Sequence, residues 1–129
     1  MVKSPDAAPV RLGKGEGMGA GTPLPSERRI ISILAVDIVD STRHIARCDP
    51  EDAQAFFDRC FAHIRSAIEQ AGGTLVSYEG DGGIAAFGWP AALEDHADHA
   101  CDAACAIQAG AGVDTGPDGR PVRFRIGIH

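Results

Sequence analysis

From Ile30 to Val39 the chain is an almost unbroken apolar run with one acid, Asp37, near its end, and no other stretch restricts the fold as much. A run of this kind is a core strand, covered on both faces or packed beneath helices. It is too short to span a membrane. Its C-terminal end delivers Asp37, and an ionised carboxylate there is costly unless something positive meets it. Asp40, Ser41 and Thr42 follow at once and are the residue types that open a helix, which is expected to run to about Arg47. Asp40 is read as the cap of that helix, and the exposed amides of the turn can bind phosphate.

A second acid lies further on. Thr74 to Tyr78 and Gly83 to Gly88 read as paired strands, with Glu79-Gly80-Asp81-Gly82 as their hairpin. Between the two acids, Asp49-Pro50-Glu51-Asp52 is a strong helix start. Apolar residues then recur at Ala53, Phe56, Phe57, Cys60, Phe61, Ile64, Ala67, Ile68 and Ala71 on one helical face, with His63 just off it, facing solvent or the edge of the stripe, until Gly72-Gly73 ends the helix. Taken alone, Asp81 is an ordinary turn residue. Coupled to Asp37 through a right-handed crossover between adjacent strands, it becomes one of a pair. Two carboxylates about 4 Å apart repel by roughly 4 kcal/mol at an effective dielectric near 20, and a divalent cation resolves this.

Beyond Trp89-Pro90, a helix from about Asp95 to Gln108 is expected to place Ala97, Ala100, Cys101, Ala104 and Ile107 inward, with His96 and His99 on a charged, exposed face rather than in a metal cluster. Val122, Phe124, Ile126 and Ile128 alternate with Arg123, Arg125, Gly127 and His129, which marks a half-exposed strand. The first 27 residues are rich in Gly, Pro and Ala and read as a flexible tail, leaving 28–129 as one domain. The glycines there lack the Gly-Lys-Ser/Thr of a phosphate loop. A net charge of −6 argues against nucleic acid or an anionic membrane as the partner. With no apolar leader, the expected location is the cytoplasm. The four cysteines include no Cys-x-x-Cys, so they are expected to be reduced and partly buried.

The ordered series LAVDIVDST, a Pro-started helix ending in Gly72-Gly73-Thr74, SYEGDGGIAAFG, a helix and RFRIGIH resembles the N-terminal part of a class III adenylate/guanylate cyclase catalytic domain. The order β, α, α, β, β, α, β fits an α+β, ferredoxin-like βαββαβ sheet with helices on one face, which is also the family's fold. The resemblance implies that Asp37 and Asp81 are the catalytic acids and hold two divalent ions, Mg²⁺ or Mn²⁺, with the carbonyl of Ile38 as a further ligand. It implies that the turn Val39, Asp40, Ser41 and Thr42 wraps the triphosphate, and that Ser77 stands at the base-reading position. The implied reaction is conversion of ATP, ahead of GTP, to 3′,5′-cyclic AMP and pyrophosphate by a homodimer.

Two positions depart from the family pattern. Ser77 replaces the purine-reading Lys of many adenylate cyclases, and Glu79 replaces a usually apolar residue. The Asn and Arg that stabilise the transition state in the family would lie beyond His129, so these 129 residues alone are expected to lack turnover. A catalytically incompetent module that binds metal and nucleotide is the alternative. Diguanylate cyclase is disfavoured, since Glu79-Gly80-Asp81-Gly82 is not its hairpin.

Overall fold

The computed structural model describes residues 28–112 and 114–129. The expected tail, residues 1–27, lies outside them. Four strands, β1 (Ser32–Ile38), β2 (Thr74–Glu79), β3 (Gly82–Phe87) and β4 (Phe124–Ile128), form one antiparallel sheet in the order β2-β3-β1-β4. Three helices connect them: α1 (Ser41–Ile45), α2 (Pro50–Gln70) and α3 (His96–Ala109). This is the expected α+β ferredoxin-like plan.

Strand β1 alternates strictly between buried and half-buried residues, because only one face of the sheet is covered by helices. Leu34, Val36 and Ile38 point into the core with Phe56, Cys60, Ile64 and Ile68 of α2 and Ala100, Ala103 and Ile107 of α3. Ile33, Ala35 and Asp37 point to the other face. Directly opposite them in β3 stand Ala86, Ile84 and Gly82. Among the described residues no helix covers that face, and Ile84 is 43% exposed.

The segments that carry Asp37 and Asp81 come together by a different route from the expected one. Strands β1 and β2 are not neighbours, because β3 lies between them. The crossover helix carries the chain two strands away, and the hairpin then folds β3 back against β1. Asp81 therefore enters β3 at the point where β1 ends.

Other local expectations are corrected. Helix α1 stops at Ile45 rather than near Arg47, and neither Asp40 nor Asp49 caps its helix through the side chain. Asp40 instead holds a left-handed backbone, φ 53°, and its carbonyl accepts from the amides of Arg43 (3.0 Å) and His44 (3.2 Å). On α3 the inward face is Ala100, Ala103 and Ile107, while Ala97 and Cys101 are exposed. The face is rotated because two histidines anchor it. His96 Nδ1 lies 2.7 Å from Ser32 Oγ, and His99 Nδ1–H donates to the Ala71 carbonyl at 2.8 Å. Neither ring is a free surface group.

All four cysteines are unpaired thiols, but only Cys60 is buried, and Cys101 and Cys105 are exposed. Burial pushes the Cys60 thiol up to about 11, helped by nearby Asp114 and opposed by Arg59. His63 sits at the edge of the α2 stripe, where Nε2–H donates to the Ile107 carbonyl at 3.0 Å.

Candidate functional site

The site is built at the end of the sheet where β1 leaves, β3 begins and β4 arrives. Asp37 lies opposite Gly82 on one side and Arg125 on the other. A Cβ at Gly82 would stand 2.9 Å from the Val36 carbonyl oxygen and 3.3 Å from Asp37 Cβ. Glycine is therefore required for β3 to approach, and its missing side chain leaves space beside the Asp37 carboxylate. The backbone closes the corner: the Ile38 amide donates to the Asp81 carbonyl at 3.0 Å, and the Val39 amide donates to the Arg123 carbonyl at 2.8 Å.

The two carboxylates differ in how they are held. Asp81 accepts a short hydrogen bond from the Ser41 hydroxyl, and Ser41 is itself buried. Asp37 has one oxygen, Oδ2, 3.7 Å from an Arg125 guanidinium nitrogen. Its other oxygen, Oδ1, is buried and has no hydrogen-bond partner among the described residues. An orphaned carboxylate oxygen costs about 1–3 kcal/mol or more if it stays ionised. A hard cation accepts oxygen ligands of this type, so the donor set fits a divalent ion. Among the described residues no group of three His, Cys, Asp or Glu side chains converges as a cage. A bound ion would complete its shell with carbonyls, water or ligand phosphates.

The remaining expected residues fall into two groups. Val39 and Asp40 form the turn between β1 and α1, Ser41 and Thr42 open α1, and the Ser41 side chain bonds to Asp81. Ser77 lies on the open face of β2, across from Ile84, and next to a register shift at Val76. It is on the same face as Asp37 but two strands away. Glu79 faces Gly82 at the hairpin end of β2 and is exposed, in the same cross-strand row as Asp37.

In the sequence, Arg125 is only one member of an alternating strand. Laying that strand antiparallel beside β1 would have placed it opposite Asp37. His44 and Asp118 carried no such signal: they pair across 74 residues, and only the folded loop brings them together.

Comparison with known proteins agrees with this geometry. The model of the adenylate and guanylate cyclase catalytic domain family matches residues 25–129, and the chain belongs to that family. An uncharacterized protein of Mycobacterium tuberculosis is 31% identical over 104 residues, covering 72% of this chain and 19% of its own length. One from Rhizobium meliloti is 36% identical over 101 residues, covering 78% of this chain and 9% of its own. The chain thus spans a fifth or less of these curated relatives. Among solved structures, the guanylyl cyclase domain of a RhoGC fusion protein from the aquatic fungus Blastocladiella emersonii, crystallised as a non-canonical dimer, superposes with a TM-score of 0.71 at 23% identity. The match covers 76% of this chain and 54% of that one. The adenylyl cyclase CyaB from P. aeruginosa gives 0.63 at 19% identity over 76% of this chain and 54% of that one. Solved relatives thus include both guanylyl and adenylyl cyclases, and the fold is common to them.

Proposed function

We propose that residues 28–129 supply the metal-binding and phosphate-binding half of a nucleotidyl cyclase domain that converts ATP to cyclic AMP and pyrophosphate. The buried, unpartnered Oδ1 of Asp37, opposite Gly82 at the hairpin that carries Asp81, supports this reading. Asp37, Asp81 and the Ile38 carbonyl hold two divalent ions, Mg²⁺ or Mn²⁺. When bound, those ions supply Lewis-acid stabilisation at phosphate and ribose oxygens.

The chain's own groups do the positioning. Ser41 orients the Asp81 carboxylate, and the backbone bond from Ile38 to Asp81 sets the separation of the two acids. The turn Val39 to Thr42 wraps the triphosphate. Arg125, 69% exposed and loosely placed at 3.7 Å from Asp37, is free to swing toward phosphate oxygens. Ser77 faces the base from β2, where a hydroxyl can either donate or accept, so ATP is preferred over GTP by a smaller margin than a cationic side chain would give.

The open sheet face, with Ile84 exposed, is the surface on which a second copy completes the site. Among the described residues no helix is long and apolar enough to cross a membrane. The proposed setting is cytoplasmic.

The test is a chimera in which residues 28–129 replace the matching segment of a solved guanylyl cyclase domain. Cyclic nucleotide formation with Mn²⁺, lost in Asp37→Ala and Asp81→Ala, is expected. Metal and nucleotide binding without turnover would leave the binding-module reading, and loss of neither on mutation would overturn both.

A further inference from the structure

We propose that the cleft between α1 and the loop preceding β4 binds a short phosphate chain, held by Arg43 and Arg123 with Arg120 at its rim. The cleft measures about 270 Å³ and is lined by Val39, Arg43, His44, Asp118, Arg120 and Arg123, together with Asp40 and Pro121. It opens on the β4 side of the β1–α1 turn, the side away from Asp81.

Charge is the first argument. The chain carries 18 acidic and 12 basic residues, yet three arginines gather here. Of the two acids in the cleft, Asp118 is already engaged: His44 Nδ1–H donates to its Oδ1 at 2.8 Å, and the Arg120 amide donates to the same oxygen at 3.1 Å. Arg120 Nε stands 3.6 Å from the other oxygen. The side chains of Arg43 and Arg123 make no hydrogen bond or ion pair among the described residues, and both are exposed. The Asp40 carboxylate, the other acid of the cleft, also makes no hydrogen bond or ion pair among the described residues, so two unpaired guanidiniums share one unpaired carboxylate, and an anion with several oxygens supplies the remaining acceptors for their N–H donors.

Rigidity is the second. The rim is preformed: the Gly116 amide donates to the Arg120 carbonyl at 2.8 Å, and the Gly119 amide to the Gly116 carbonyl at 2.9 Å. A Cβ at Gly116 would fall 2.1 Å from His44 Nδ1, so the loop packs directly on a buried imidazole. A site held this way loses little freedom on binding.

Size is the third. Pockets for whole drug-sized ligands run to about 300–1,000 Å³, so the cleft itself has room for a phosphate chain, and it adjoins a depression of about 570 Å³ that shares Arg43, His44, Asp118 and Arg120. The chain can come from inorganic pyrophosphate or triphosphate, or from the terminal phosphates of a nucleotide whose other end lies elsewhere.

The inference does not depend on the metal reading, because its test is done without metal. Sodium tripolyphosphate is titrated calorimetrically into the 129-residue chain in EDTA at low ionic strength. One site per chain is expected. Arg43→Gln and Arg123→Gln should each weaken it about tenfold, as loss of a charge-assisted contact does. Arg43→Lys should restore most of the loss in charge. Arg65→Gln, a matched charge removal on α2, should change affinity less than twofold, and circular dichroism confirms that each variant is folded. Displacement by ATP at equal concentration would identify a nucleotide's phosphates as the source. Failure of ATP to displace would identify free oligophosphate. Absence of binding, equal affinity in Arg43→Gln, Arg123→Gln and Arg65→Gln, or a larger loss in Arg125→Gln than in either, would overturn the proposal.

Discussion

Asp37 and Asp118 are both carboxylates flanking the β1–α1 turn, and the fold treats them oppositely. Asp118 is saturated by the His44 ring and the Arg120 amide, with the Arg120 guanidinium nearby. Since a carboxylate only accepts, the proton on Nδ1 of His44 is fixed by this pairing. Desolvation pushes the Asp118 carboxyl up, but the Arg120 amide, the His44 hydrogen bond and the His44 charge outweigh it and hold the group below its usual range. Asp37 has a loose ion pair on one oxygen and nothing on the other. The contrast separates an acid engaged by its neighbours from one that keeps an oxygen without a partner, the ready acid of the proposed site.

The largest effect should come from removing the ready acid. Asp37→Ala or Asp81→Ala is expected to weaken Mn²⁺ binding on the order of 100-fold, at the upper end of what even supporting groups contribute around metals. Water-proton relaxation in a Mn²⁺ titration measures it. Equal affinity in both variants and the parent would erase the distinction drawn between the two acids.

Removing the partner of the saturated acid should cost stability instead. His44 is 4% exposed and packs 5.3 Å from the Phe56 ring, so His44→Ala combines a cavity with a lost buried hydrogen bond. Destabilisation of about 3 kcal/mol is expected in urea melts, with Mn²⁺ affinity changed far less. A loss under 1 kcal/mol would mean that the loop before β4 is held by its backbone alone.

Neutralising the ready acid without metal should have the reverse sign. Asp37→Asn is expected to raise the metal-free stability by about 0.5 kcal/mol, because the charge on a half-exposed carboxylate with one buried, unpartnered oxygen is removed. Destabilisation in EDTA would show that Arg125 already satisfies Asp37.

The smallest signal is in acid. The Asp118 pKa is lowered in the fold from 3.8, so its contribution is complete above that value and is lost as the pH falls through the lowered one. Comparing thermal midpoints of the parent and Asp118→Asn between pH 5 and pH 2 should show the difference shrinking toward the acid end. A constant difference across that range would mean that the pairing with His44 leaves the titration untouched.

Much of this was readable without coordinates. The Ile30–Val39 run, the α2 stripe and the Glu79–Gly82 hairpin specify their elements through local periodicity and turn chemistry, and those signals reside in neighbouring residues. The inner face of α3 is not legible in its sequence, because nothing in Asp95 to Gln108 reveals that His96 and His99 bond to Ser32 and Ala71. Asp40 reads as a cap because residue type suggests a side-chain bond, whereas the left-handed backbone of Asp40 lets its carbonyl serve the turn.

The sequence by itself determined which two acids stand at strand ends and that a positive group must answer them, because desolvation and charge follow from residue type and burial pattern. Only the tertiary structure decided which oxygen is left without a partner. It also decided that β3 rather than β2 lies beside β1, and that Arg125, Arg123, His44 and Asp118 converge on the same turn. Those outcomes depend on strand order and on contacts between residues far apart in the chain. No local pattern encodes such distances, and they are set only when the sheet closes against the helices.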